Sequence, residues 1–237
     1  MKGYLSVLML FVRSTFYRFL LIVFAMAVVE SIFFTIAIRS VEGYFGLDTV
    51  LIATRPQIVF AVCFLLLCAL MCLTGCGFGS KQGYTLSRLR VSNRTVFLCQ
   101  AVNNAGLLFL FWAAQVGVIL VFCGIYASLH PQPQATMLVF YSNNFLHSLF
   151  PLAEKGHLVC NAVLLIVLAL TSACFPIHVR RGTRPIAIFV IALICILFFI
   201  REKGAVISNI ALSITTVSIS AFAVIDVLRE VYDEDLS

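Results

Sequence analysis

The feature that most constrains this chain is the recurrence, from one end to the other, of apolar runs about 20 residues long. A helix of that length spans the ~30 Å hydrocarbon core of a bilayer. Of the 237 residues, 62% are hydrophobic and 11% charged, whereas a soluble domain is about half apolar and about a quarter charged. The excess apolar surface must face lipid. We therefore predict an all-α polytopic membrane protein with a single membrane domain.

The apolar runs predict six transmembrane helices within a membrane domain of residues 19–228. The predicted spans are Phe19–Ile38, Ile58–Phe78, Val102–Leu129, His157–Ile177, Pro185–Ile200 and Ala205–Leu228. Residues 1–18 are apolar with a few basic side chains, which is typical of a helix lying in the inner membrane interface. Residues 229–237 form a short acidic tail that we expect to be frayed and solvated.

The basic residues near the span ends predict the orientation of the chain. With the N-terminus inside, eleven basic residues are cytoplasmic: Lys2, Arg13, Arg18, Lys81, Arg88, Arg90, Arg94, Arg180, Arg181, Arg184 and Arg229. Five are then outside: Arg39, Arg55, Lys155, Arg201 and Lys203. Positive charge is enriched in cytoplasmic loops. We therefore predict that the protein lies in the plasma membrane with both termini in the cytoplasm.

The largest outer loop, residues 130–156, contains apolar stretches that are too short to cross a membrane. Pro131 and Pro133 end the third span, and Met137–Tyr141 and Phe145–Leu152 then become apolar again. We expect these aromatic-rich stretches to rest on the outer membrane interface.

The largest and most basic cytoplasmic loop, residues 79–101, contains the segment in which we predict a partner-docking site. Residues 85–90 can form a short helix, and Ser92 is suited to cap a new helix that continues into the third span. The predicted docking residues are Tyr84, Thr85, Leu86, Arg88, Leu89 and Arg90. On the residues alone, docking of a cytoplasmic partner and simple anchoring to lipid headgroups are equally supported.

The order of these segments resembles the permease subunits of type-2 ABC exporters. Residues 85–92 read T-L-S-R-L-R-V-S, similar to the T-L-x-R-L-x-[VI]-S pattern in the coupling helix of small permeases in that family. The outer stretch Phe145–Glu154 is also similar to theirs. In one respect the chain departs from better-known members, because Arg201–Gly204 leaves almost nothing between the last two spans, where they have an elaborate outer segment.

The resemblance implies two partners: a cytoplasmic ATP-binding subunit and a second permease subunit, either the same chain or a sister chain. The nearest approach to a phosphate-binding loop, residues 75–81, has Ser80 where that motif requires glycine, and it ends a span instead of following a strand. ATP hydrolysis is therefore expected in the partner. We find no hydrolase motif and predict no enzymatic activity, cofactor or nucleic-acid partner for this chain.

Polar residues inside the spans are the second class of candidates, because each is costly in lipid and usually faces protein. Glu30 lies about 17 Å into the first span, and Gln115 lies at a similar depth in the third, which starts from the same side. A hydrogen bond between them is geometrically allowed. A structural role for Glu30 is favoured over a role in the transport path and over a proton-coupled role. Asn103 and Asn104 lie near a span end and are expected to be interfacial or helix-pairing groups.

The nine cysteines and four histidines do not predict a metal site. The cysteines lie mostly inside apolar runs without a C-x-x-C pair, which indicates free thiols packed as small hydrophobic side chains. Cys68, Cys72 and Cys76 share one face of the second span and predict a helix-packing seam.

Together these features predict a permease subunit that exports an amphipathic or hydrophobic substrate. Two alternatives remain open. One is the substrate-capturing membrane subunit of an energy-coupled vitamin importer, which should dock through small residues on a span. The other is a membrane anchor or regulator without transport. A further rival, an intramembrane enzyme, is disfavoured by the missing motifs.

Overall fold

The computed structural model describes residues 2–40, 47–76, 92–129, 139, 142–151, 155–180, 182, 186–200 and 206–236. Every regular element in these ranges is helical. In chain order the helices are α1 (Lys2–Ser40), α2 (Leu47–Thr54), α3 (Pro56–Gly75), α4 (Asn93–Leu129), α5 (Asn144–Leu149), α6 (Lys155–Arg180), α7 (Ile186–Ile200) and α8 (Val206–Leu236). The prediction of an all-α protein is confirmed.

Five of these helices are long and apolar enough to cross a membrane: α1, α3, α4, α6 and α8. A shorter apolar helix, α7, has 15 residues. Their surfaces expose many large apolar side chains that water would not tolerate as a contiguous face. The protein is therefore a multi-pass membrane protein.

The first helix combines the predicted interfacial segment and the first span in one uninterrupted element. It has 39 residues, or about 58 Å at the rise of an α-helix. Neither glycine nor proline occurs between Tyr4 and Ser40, so nothing in the sequence breaks the helix at residue 18. Val7 and Phe11 are buried together with Cys99 of α4. The first turns of α1 thus pack along α4.

Helices α1 and α4 run parallel, because their contacts advance in the same direction along both. From one end to the other, Phe11 packs with Cys99, Glu30 bonds to Gln115, and the Phe34 ring stacks on Phe122 with ring centroids 4.4 Å apart. Because α1 ends at one end of the bundle and α4 begins at the other, the chain must cross back between them. Helix α3 makes this return crossing.

The same argument applies to α6 and α8. His157 contacts Asn209 and Thr171 bonds to Ser220, so residue numbers rise together along both helices. Helix α7 runs antiparallel to α6, because Cys195 of α7 reaches the carbonyl of Leu164 while Phe189 lies against Phe175. Despite its shortness, α7 therefore crosses the bundle. Six helices cross it, and the start of α1 and the end of α8 lie at the same end.

We call this the termini end; the starts of α4 and α7 and the ends of α3 and α6 also lie there. A small cluster joins α4, α6 and α8 at this level: Phe97, Ala101, Ala173, Cys174 and Val227. Helix α8 continues through Leu236. Residues 229–236 of the acidic tail, which we expected to be frayed, are therefore helical, since no glycine or proline interrupts an established helix there.

An aromatic cluster packs towards the opposite, or distal, end of the bundle, at the level where α3 begins and α7 ends. The ring centroid of Phe60 lies 5.4 Å from that of Phe111, 5.6 Å from that of Phe145 and 5.5 Å from that of Phe199. These residues come from α3, α4, α5 and α7. The Phe60 ring of α3 thus contacts aromatic rings from three other helices.

Helix α5 plugs this end instead of resting on the membrane interface, where we expected the stretch from Phe145 onwards. The Asn143 side chain caps α5 by accepting hydrogen bonds from the backbone N–H groups of Phe145 and Leu146. Phe145 and Leu149 are buried, and the indole N–H of Trp112 donates to the Leu149 carbonyl at 2.9 Å. Contact with Phe60 and Trp112 thus draws this stretch into the bundle.

Candidate functional site

A buried hydrogen bond joins the first and third spans at mid-bundle. Gln115 Nε2 donates to Glu30 Oε1 at 2.8 Å. Glu30 is 1% exposed and Gln115 is fully buried. On α1, Glu30 lies one turn from Met26 and one turn from Phe34, both in the core, so its carboxyl group points at α4. The structure brings this predicted pair together.

Two oxygen atoms of this pair remain without a partner. Glu30 Oε2 and Gln115 Oε1 are buried and accept no hydrogen bond. A buried carboxylate that is incompletely hydrogen-bonded is costly, whereas a neutral carboxyl group has no charge and gains an O–H donor. A proton on Glu30 would therefore suit both the apolar surroundings and the unsatisfied acceptor on Gln115. The pair can hold a single proton, but a relay would need further titratable groups beside it.

The two predicted asparagines lie farther towards the termini end and differ from each other. Asn104 Nδ2 donates to Ser172 Oγ at 2.8 Å, which ties α4 to α6. Asn103 is also buried, but its Nδ2 atom has no acceptor, and neither has the Nε2 atom of Gln100 one turn earlier. Asn103 and Gln115 are twelve residues apart on α4, or about 18 Å. The four intramembrane polar residues thus form two separate sites.

Further polar contacts join the remaining helices, and the sequence did not single out most of their residues. Thr171 Oγ1 and Ser220 Oγ lie 2.9 Å apart between α6 and α8, and Asn161 Nδ2 donates to the Ser148 carbonyl at 2.9 Å between α6 and α5. A hydroxyl in an apolar run can instead bond to its own helix, as Thr171 also does with the Val167 carbonyl. The sequence contains no signal that separates these two uses.

The predicted docking residues Tyr84, Thr85, Leu86, Arg88, Leu89 and Arg90 lie outside the described residues. Their flanks are described. Helix α3 ends at Gly75 and α4 begins at Asn93, both at the termini end. The predicted cap of α4 is confirmed, because the Thr95 N–H donates to Ser92 Oγ at 3.4 Å and to the Ser92 carbonyl at 3.0 Å. The helix that leads from the basic loop into the membrane is therefore fixed from its first turn.

All nine cysteines are free thiols, and all except Cys76 are buried. Cys68 and Cys72 lie in the core on one face of α3, where they act as small packing residues. Within the described ranges, no cluster of three or more His, Cys, Asp or Glu side chains could hold a metal ion.

Comparison of the chain with known protein families, with curated proteins and with solved structures finds no match.

Proposed function

We propose that this chain is the membrane-spanning permease subunit of an ATP-driven ABC exporter, with both termini in the cytoplasm. The observation that supports the proposal most is the position of the helix ends on either side of the basic loop. Helix α3 ends and α4 begins at the termini end, so the chain that carries Lys81, Arg88 and Arg90 is anchored beside both termini. A cytoplasmic ATPase would meet this end of the bundle.

The distribution of charge supports the orientation. With the termini end in the cytoplasm, the eleven basic residues counted from the sequence lie inside and five lie outside. Helices α1, α4 and α8 have 39, 37 and 31 residues, more than the about 20 that a span requires. Contacts among their first or last turns, from Phe11 to Cys99 and from Phe97 to Val227, lie at the termini end.

The packing of the described interior favours a route between two chains. Phe60 and its aromatic neighbours fill the distal end, and the polar side chains of the spans bond to one another between helices. A second permease subunit, the same chain or a sister chain, would add the facing wall. The lipid-facing sides of α1 and α8 are apolar, with side chains such as Phe24 and Phe222. Such a wall suits an amphipathic or hydrophobic substrate.

The test is co-purification with any ATP-binding subunit that neighbouring genes encode. Replacing both Leu86 and Leu89 with Asp should leave the protein inserted and abolish co-purification, because two charges would replace the apolar side of the predicted coupling helix. The matched control adds the same two charges earlier in the loop, at Ser80 and Gln82, and should retain the complex.

The outcomes separate the proposal from its alternatives. A complex that survives the Leu86 and Leu89 replacements would exclude residues 85–90 as the coupling surface, and docking through a span, as expected of a vitamin-importer subunit, would then be favoured. A wild-type chain that binds no ATPase would contradict the proposal and favour an anchor or regulator.

A further inference from the structure

A cavity of about 540 Å³ lies between α6, α7 and α8 near the termini end. The lining farther from the termini end includes Thr171 of α6 and Ile219 of α8, and α7 contributes Ile188. The volume lies within the range of about 300–1,000 Å³ found for small-molecule sites.

The cavity is lined by apolar side chains at one end and by polar ones at the other. Asp226 and His178 lie nearer the termini end, each seven residues beyond Ile219 or Thr171 on the same helix, or about 10 Å along the axis. The hydroxyl of Thr171 is already bonded to Ser220 and to the Val167 carbonyl. The part of the cavity farther from the termini end is therefore lined mainly by apolar groups, and the polar side chains lie at the other end.

Asp226 is the acidic residue of the lining. Among the cavity-lining residues that the structure describes, it is the one carboxylate, and neither lysine nor arginine is present. It lies three residues before the end of the apolar stretch Ile207–Arg229, which corresponds to the level of the lipid headgroups. A cation at this depth would meet a carboxylate while its apolar body remained among hydrocarbon groups.

We propose that this cavity binds an amphipathic or lipophilic cation, with the apolar body between α6, α7 and α8 and the positive charge next to Asp226. Two features carry the assignment: the mainly apolar lining of the cavity and the single acidic group at its end nearer the termini end. The site is independent of transport and of any ATPase, so it stands or falls separately from the proposed function.

The experiment measures equilibrium binding of radiolabelled tetraphenylphosphonium to the purified full-length protein in nanodiscs, with empty nanodiscs subtracted. Tetraphenylborate, which has the same shape and the opposite charge, is the matched probe. We expect saturable binding of the cation and none of the anion. Replacing Asp226 with Asn should weaken cation binding about fivefold, the effect of one partly exposed ion pair.

A pair of variants on α8 tests the place of binding. Ala223 lines the cavity, and Ala223→Phe should abolish saturable binding by filling it. Ala211 is exposed on the same helix and does not line it, so Ala211→Phe should bind like the wild type. Equal binding of the two probes, or unchanged binding in both Asp226→Asn and Ala223→Phe, would overturn the assignment.

Discussion

Gln115 and Glu30 are 85 positions apart in the chain, yet their side chains meet at 2.8 Å in the core of the bundle. The bond joins the two parallel helices that begin at the termini end, and apolar residues pack around it. Because the lipid outside is as apolar as the core, such a bond contributes specificity that apolar packing alone does not. Its stability and its chemistry can be tested separately.

Replacing Glu30 with Leu should lower the free energy of unfolding in detergent by about 1 kcal/mol, the scale of interhelical hydrogen bonds in membranes. Glu30→Gln retains size and hydrogen-bonding groups and should leave stability close to that of the wild type. A double-mutant cycle with Gln115→Leu measures the coupling directly. Additive effects of Glu30→Leu and Gln115→Leu would show that the contact contributes nothing to stability.

If the chain works with an ATPase as proposed, a role for protonation of Glu30 is tested by transport after the two proteins are reconstituted in vesicles. If Glu30 is structural, Glu30→Gln should transport like the wild type, with the same dependence on external pH, because an amide replaces the neutral carboxyl group without loss of packing. Lost transport in a variant that assembles normally and retains ATPase coupling would show that ionisation of Glu30 is required.

The parallel packing of α6 and α8 predicts which cysteine pairs can form a disulfide. In a background without native cysteines, Thr171→Cys and Ser220→Cys should cross-link on mild oxidation, because the oxygen atoms they replace are 2.9 Å apart. Thr171→Cys with Asn209→Cys is the control and should not, since Asn209 contacts His157, about 21 Å away along α6. Cross-linking of Thr171→Cys to Asn209→Cys, but not to Ser220→Cys, would exclude the parallel packing of α6 and α8 and with it the crossing of α7.

Six crossings and the positive-inside distribution predict the accessibility of the loops. An impermeant thiol reagent added outside should label single cysteines at positions 48, 134 and 202, and should not reach positions 82, 182 or 234. Permeabilised cells provide the control for reactivity of the inner positions. Labelling of position 82 from outside would reverse the orientation and remove the basis for ATPase docking.

Phe60 should be the most sensitive aromatic position at the distal end. Phe60→Ala should cost about 2 kcal/mol of unfolding free energy, less than a similar cavity in a water-soluble core, because the unfolded side chain remains in an apolar medium. The control Phe24→Ala removes a ring that is 71% exposed and should cost less than about 0.5 kcal/mol. Equal losses measured by thermal unfolding would contradict the packing of Phe60 against three neighbouring helices.

The sequence predicted those features that follow from apolar length and from helix direction. Glu30 and Gln115 could be paired because their spans begin on the same side and place them at equal depth. Ser92 could be identified as a cap because a hydroxyl at that position satisfies a free N–H group, whichever helices pack nearby. The first prediction depends on the direction and depth of the spans, and the second depends on local geometry alone.

What the sequence left undetermined depends on contacts between distant segments. The eight residues of α2 are too few to register as a span, and Leu47 and Leu51 are held by the core they meet. Ser172 became the partner of Asn104 although nearby hydroxyls had the same sequence signature. The short stretch at Phe145 was predicted to lie on lipid, because its burial against Phe60 follows only from the arrangement of α3.

The shortness of α7 has a consequence for the surrounding lipid. Its 15 residues rise about 22 Å, roughly 8 Å less than the thickness of the hydrocarbon core. Phe189, Leu193 and Leu197 on its outer side are exposed, so lipids beside α7 meet a hydrophobic belt narrower than that of α1 or α4. Hydrophobic mismatch of this kind is relieved by local thinning of the bilayer. The protein should therefore be surrounded by an uneven annulus, thinnest where α7 faces it, and should favour lipids with short acyl chains on that side.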